Sequence, residues 1–164
     1  KEAERRGLPN IRTSLEALKA LTKDENVELF EKYGVMNRRE MLSRYEINVE
    51  DFHKRIHIEG EVARDLAKNV ILPQVLCAYS AALKTNAMAK EQGFAAVDSY
   101  AQELGEGYKA LASAIARMEK ALGEKHENIL EAMADLRVQV DKLEKVIPDE
   151  KWPLPKYREM LFIY

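Results

Sequence analysis

The chain has 164 residues, 46% hydrophobic and 33% charged, which is enough for one well-buried core and short for two. Its 26 basic and 28 acidic residues leave a formal charge of -2, so no global field gathers nucleic acid or anionic lipid. No stretch approaches the roughly 20 apolar residues that cross a bilayer and no signal-like segment opens the chain, so neither a nucleic-acid nor a membrane partner is expected.

The opening, through Arg6-Gly7-Leu8-Pro9, reads as the last turns of a helix stopped by Gly and Pro, as in a piece cut from a longer polypeptide. Residues 10–14 form an extended connector, and Ser14 caps a short helix through Ala20. Thr22 with Glu25 makes a capping box for a second short helix, which carries Val27, Leu29 and Phe30 and stops at Gly34. Asn37 with Glu40 repeats that box and opens the dominant element.

Along this element Leu42, Tyr45, Val49, Phe52, Ile56, Ala63, Leu66 and Val70 fall in steps of three and four. Only Glu59 interrupts them; it either points to a gap in the bundle or pairs with a base such as Arg64 or one on another chain. Residues 38–72 would make a helix ~50 Å long, unstable in water without partner helices. On this reading Phe52→Ala, in mid-seam, costs ~3 to 5 kcal/mol. Pro73 removes a backbone donor and kinks the helix, while Val75, Leu76, Tyr79 and Leu83 carry the apolar run onward until helicity is gone by Gly93. Cys77, the one cysteine, has no second thiol and is expected as a small core residue in a reducing, cytoplasmic setting.

Val97, Tyr100, Leu104, Tyr108, Leu111, Ile115, Met118 and Leu122 mark a second long helix closing at Gly123. Ile129, Met133, Leu136, Val140, Leu143 and Ile147 mark a third, ended by Pro148. Short connections make these antiparallel neighbours, and no alternating β-branched run appears. The predicted fold is all-α: a kinked antiparallel bundle of three to four long helices with short accessory helices at both ends. One domain is expected, with connector and short helices over 1–36, the long-helix bundle over 37–147 and an aromatic tail over 148–164.

Chemistry is sparse. Glu50, His53 and His57 share a helix face and resemble half of a di-iron carboxylate site, but the remaining His126 has no Glu three positions before it, so metal binding here is the weaker reading and a solvated or interface flank the stronger. Gly105-Glu106-Gly107 follows helix, not strand, and serves close helix approach or a kink rather than phosphate binding. Tyr100, Tyr108 and Met118 at helical spacing read as core packing, not a cofactor slot. No nucleophile elbow or phosphate loop occurs, so no catalytic or cofactor-binding residue is expected. Trp152, Tyr157, Leu161, Phe162 and Tyr164 crowd a tail too short to bury them alone and are interface candidates, either folded back on the bundle or paired between chains.

Three segments together carry a resemblance: Arg6-Gly7-Leu8-Pro9-Asn10-Ile11-Arg12-Thr13; Leu29-Phe30-Glu31-Lys32-Tyr33-Gly34-Val35 running into Ser43-Arg44-Tyr45-Glu46; and Trp152-Pro153-Leu154-Pro155-x-Tyr157-x-Glu159-Met160-Leu161-Phe162. In order and interval they resemble the C-terminal region of type III glutamine synthetases. The resemblance implies a parent ligase of nitrogen metabolism that joins ammonia to glutamate using ATP and Mg, for glutamine biosynthesis. It further implies a homo-oligomer, a dodecamer of two stacked hexamers, in which this region docks on the catalytic domain of the same polypeptide or on a neighbouring subunit. The family's metal, ATP and glutamate segments lie upstream of the matching region, so no active-site residue is implied here and the segment alone is expected to be inactive. The stretch His53-Lys54-Arg55-Ile56-His57-Ile58-Glu59-Gly60 departs from the family in charge, so a subunit contact on that face is expected to differ. The rival readings are an unrelated helical protein-interaction module and a metal-binding helical bundle.

Overall fold

The computed structural model describes residues 2–11, 13–124 and 126–161, leaving aside the side chains of Tyr157 and Arg158. The described residues contain helices and no strand, as the periodicity requires. They fall into two compact units, Lys1–Ile56 and His57–Tyr164.

The first unit holds α1 (Glu2–Arg5), α2 (Ser14–Leu18) with a 3₁₀ turn over Lys19–Thr22, α3 (Asp24–Lys32) and the first part of α4 (Arg38–Asp65). The cap of α2 is Thr13, one residue before the expected Ser14: its extended backbone lets Oγ1 accept from Glu16 N at 3.3 Å. Thr22 does not cap α3, because the 3₁₀ turn engages it and its hydroxyl donates to Lys19 O at 3.0 Å; Lys23 is the cap residue, without a side-chain bond. The box at Asn37 forms in full, with Asn37 N donating to Glu40 Oε2 at 2.8 Å and Glu40 N to Asn37 Oδ1 at 3.0 Å. Arg38 ties this start to α3, its backbone N–H donating to Glu31 and its guanidinium pairing with Asp24 at 2.8 Å. Val27 and Met41 are the deeply buried side chains here; Leu42 is exposed and Phe52 only half-buried, so the expected cost of Phe52→Ala falls below the full core value.

The second unit holds the end of α4, a π-helical segment Leu66–Ile71, α5 (Leu72–Glu91), α6 (Asp98–Leu122), α7 (His126–Val146), a 3₁₀ turn Asp149–Lys151 and α8 (Tyr157–Leu161). Pro73 accounts for the π segment: it has no N–H and its ring would strike the carbonyl four residues back, and widening the turn before it relieves both. Leu72 N accordingly bonds back to Ala67 O, five residues earlier. The inward line of this unit runs through Gly60, Ala67, Ile71, Val75 and Ala78, and Leu66 and Cys77 are exposed against expectation. Glu59 is exposed beside this line, with Gly60 taking the inward place.

The contacts show why the helices alternate in direction. Asn86 lies at the start of α6, bonding Val97 and Asp98, Tyr79 lies against Gly105, and Lys68 pairs with Glu119 at 2.6 Å, so α5 and α6 run oppositely. Tyr100 bonds Val146 O, Gly107 meets Leu143, and Arg117 pairs with Asp135, so α6 and α7 do too. Gly34 and Gly93 end α3 and α5 with φ of 63° and 75°, each placing the next residue's N–H on the carbonyl five residues back. Leu104, Leu111, Met118, Ile129, Leu136 and Leu143 fill the seam.

By length and composition alone, the helical run Arg38–Glu91 contains an apolar stretch of 18 residues long enough to cross a membrane, which corrects the expectation that no stretch comes near that. Only 22% of that stretch is buried. It is apolar on two faces, with Ile71, Val75 and Ala78 inward and Leu76 and Leu83 outward.

A Cβ at residue 60 would lie 2.6 Å from Met118 Cε and 2.9 Å from Ile129 Cγ2. Gly60→Val should therefore lose ~1 to 3 kcal/mol in urea unfolding by overpacking, and an unchanged midpoint would contradict the contact. The Arg117 guanidinium holds the Asp135 carboxyl below its ordinary range. The sign follows: this pair's contribution is present above the unfolded Asp pKa of about 3.9 and lost as pH falls through the lower folded value. Asp135→Asn should flatten stability between about pH 5 and 2, and parallel acid-melting curves for the two proteins would contradict the pairing.

Candidate functional site

The expected metal face is engaged locally. Glu50 sits in the first unit with Lys54 Nζ 2.6 Å from its carboxylate, and the hydrogen bond from Lys54 holds its carboxyl below the ordinary range. His53 meets Phe52 edge to face, ring centroids 6.1 Å apart. In the second unit His57 Nε2 lies 3.8 Å from Glu61. Among the described residues no group of three or more His, Cys, Asp or Glu side chains stands together as a metal would require.

In the tail expected to hold interface aromatics, Trp152 is 7% exposed. Lys156, four residues on, anchors this segment: its side chain is 13% exposed, and its ammonium donates to Glu144 O at 2.8 Å and Ile147 O at 3.0 Å and pairs with Asp149 at 2.7 Å. A cation thus satisfies the last carbonyls of α7 and complements the negative end of that helix. Pro148 cannot continue α7 and turns the chain so that Lys156 can reach back. Sequence reasoning missed Lys156, standing as the unassigned position between Pro155 and Tyr157, because Lys151 and Arg158 follow the same helix end and nothing local singles it out. Met160 and Leu161 remain exposed, Leu161 at 76%. Tyr157 lies in α8 with its side chain outside the described residues, as are Phe162 and Tyr164 altogether.

The larger unspent apolar surface is on α5. Pro73, Leu76, Ser80, Leu83 and Ala87 repeat at steps of three and four away from buried Val75 and Ala78, Leu83 and Ala87 also bordering a cleft with Asn86 and Ala101, and Cys77 and Met88 are exposed beside them. Leu76 and Leu83 are each about half exposed, at 48% and 46%. An open groove between α6 and α7 is lined by Gly107 and Leu143 together with Glu103, Glu106 and Lys142. The chemistry on offer throughout is apolar contact framed by solvated charge.

Residues 1–92 match the sequence family described as glutamine synthetase C-terminal domain. Over 98% of its length the chain is 32% identical to a glutamine synthetase of Butyrivibrio fibrisolvens, 28% to a type-3 glutamine synthetase of Dictyostelium discoideum and 29% to a glutamine synthetase of Bacteroides fragilis. The chain spans about a quarter, 25%, of the length of each of these relatives.

Because Trp152 is the one tryptophan, its emission reports the tail directly. Lys156→Met should shift that emission to the red and cost about 1 to 2 kcal/mol of stability as the cap is lost. An unshifted spectrum at unchanged stability would show that Lys156 does not hold the tail.

Proposed function

The chain belongs to the glutamine synthetase C-terminal domain family, and from that premise we propose that it is the helical docking domain of a type III glutamine synthetase. The parent enzyme, on this reading, is cytoplasmic, ligates ammonia to glutamate with ATP and Mg, and assembles from identical subunits as the family's dodecamer does. The domain contributes no catalytic, cofactor-binding or metal-binding residue. It covers, and is covered by, the catalytic domain of its own polypeptide or a neighbouring subunit.

The observation that supports docking most directly is the apolar window of Arg38–Glu91, of which 22% is buried within this chain. Exposed apolar surface of that kind is ordinarily covered in the working molecule. Exposed Leu161 in the tail extends the same logic. No observation favours an unrelated interaction module or a metal-binding bundle.

The test uses the complete synthetase polypeptide. Leu161→Glu should reduce the particle size seen by light scattering, while the rate per full-sized particle stays within about twofold. Full-sized particles with kcat reduced about a hundredfold would mean that this domain takes part in the chemistry, contrary to the proposal.

A further inference from the structure

The groove between α6 and α7 is short and carries charges of both signs. Gly107 and Ala110 of α6 and Leu143 and Val146 of α7 give it an apolar lining, kept close by Gly107, where a Cβ would lie 2.6 Å from Leu143 Cδ2. The charged side chains that line it divide by helix: Glu103 and Glu106 come from α6, Lys142 and Lys145 from α7. Among the described residues neither carboxylate pairs with either ammonium, and Glu106 accepts a hydrogen bond from Gln102 at 2.9 Å. Neighbouring charges are engaged apart from the groove. Asp141 pairs with Arg137 at 3.7 Å, and Asp135, which Lys142 helps to keep ionised, pairs with Arg117. Lys109 and Glu144 do not line it.

We propose that this groove binds a small zwitterion, an α-amino acid with an apolar side chain. Its ammonium lies toward Glu103 and Glu106, its carboxylate toward Lys142 and Lys145, and its side chain against the apolar lining. Charge complementarity selects the class. A simple anion would meet the two carboxylates and a simple cation the two ammoniums, whereas a molecule with both signs finds an opposite charge on each helix. An ammonium and a carboxylate on one carbon, each making a charge-assisted hydrogen bond of about 2.8 Å, bridge roughly the 8 to 10 Å that separates packed helix axes. Size agrees: the groove encloses about 400 Å³, within the range of small-molecule sites. It runs over residues 103–110 and 139–146, about two turns or ~10 Å of each helix, too short to hold a partner helix along its length. Because the groove is open and its charges are solvated, Kd is on the order of 1 mM. An occupant tied to both helices stabilises the domain in proportion to its concentration.

The inference stands apart from the docking reading, and its probes are phenylalanine and two analogues lacking one charge each: phenethylamine without the carboxylate, and 3-phenylpropanoate without the ammonium. Titrating phenylalanine into the 164-residue chain should shift the NMR signals of Gly107, Ala110, Leu143 and Val146 together, with a single Kd. Each analogue should bind about three- to fivefold more weakly, the change that one exposed charge pair carries. Glu106→Gln should weaken phenylalanine and leave 3-phenylpropanoate no worse, and Lys142→Gln should weaken phenylalanine and leave phenethylamine no worse, with circular dichroism unchanged in both. No shift of the four residues at about 20 mM phenylalanine overturns the proposal, as do analogues that bind as well as phenylalanine. In the complete synthetase polypeptide phenylalanine should slow amide exchange over residues 103–110 and 139–146. Side chains of that groove found covered by another part of the polypeptide, with exchange indifferent to phenylalanine, would overturn it in favour of a protein occupant.

Discussion

Closure of the second unit depends on three places where no side chain stands. At Gly60, Gly105 and Gly107 an added Cβ would come within 2.6 to 3.1 Å of Met118, Tyr79 and Leu143 respectively. The three contacts lie on different helix pairs, so large side chains on one helix enter the space left by glycine on another. The arrangement is directional: with Gly60 turned inward, Ile71, Val75 and Ala78 follow it into the core. The opposite side of α5 then has to face outward, whatever its composition.

That geometric consequence links packing to function. A helix with one apolar face can bury it within a small bundle, whereas α5 has two and the bundle has room for one. Charge does little of the holding. The ion pairs among the described residues lie mostly at exposed side chains, where each contributes ~0 to 1 kcal/mol, against ~1.5 to 3 kcal/mol for each side chain buried in the seam. Lys156 is the exception by position: it is nearly covered and satisfies carbonyls that would otherwise lack partners. It binds the Trp-Pro-Leu-Pro segment to the end of α7, so the tail adds to the core through Trp152 and to the surface through Leu161.

Helix identity and direction were legible because they rest on local rules. The apolar periods of α6 and α7, the Asn37–Glu40 box and the glycine stops at residues 34 and 93 each follow from backbone and side-chain chemistry within a few residues. Facing was less legible along the long helix. The stripe through Leu42, Leu66 and Val70 puts Glu59 on the inward line, whereas Gly60 and Ala67 take that line, so Leu66 turns outward where the π segment begins; that segment then changes the phase ahead of Pro73, and Cys77 lies exposed. Gly60 was overlooked beside Glu59 because an apolar pattern does not register a residue whose role is to be absent. Lys156 could not be read at all: its partners are main-chain carbonyls nine and twelve residues away, brought near only by the turn at Pro148. The family, by contrast, was legible from short segments at both ends of the chain, and the match over residues 1–92 agrees with it.

Amide hydrogen exchange on the 164-residue chain tests the central claim most directly, because it reads which backbone segments are held by the glycine-centred seam. The account predicts the slowest exchange in the stretches around Gly60, Gly105 to Met118 and Ile129 to Leu143, all opening together with the free energy of global unfolding. Exchange in those stretches as fast as in the connector before α2, or slow amides confined to α5 alone, would show that the unit is not held where the three glycines bring its helices together.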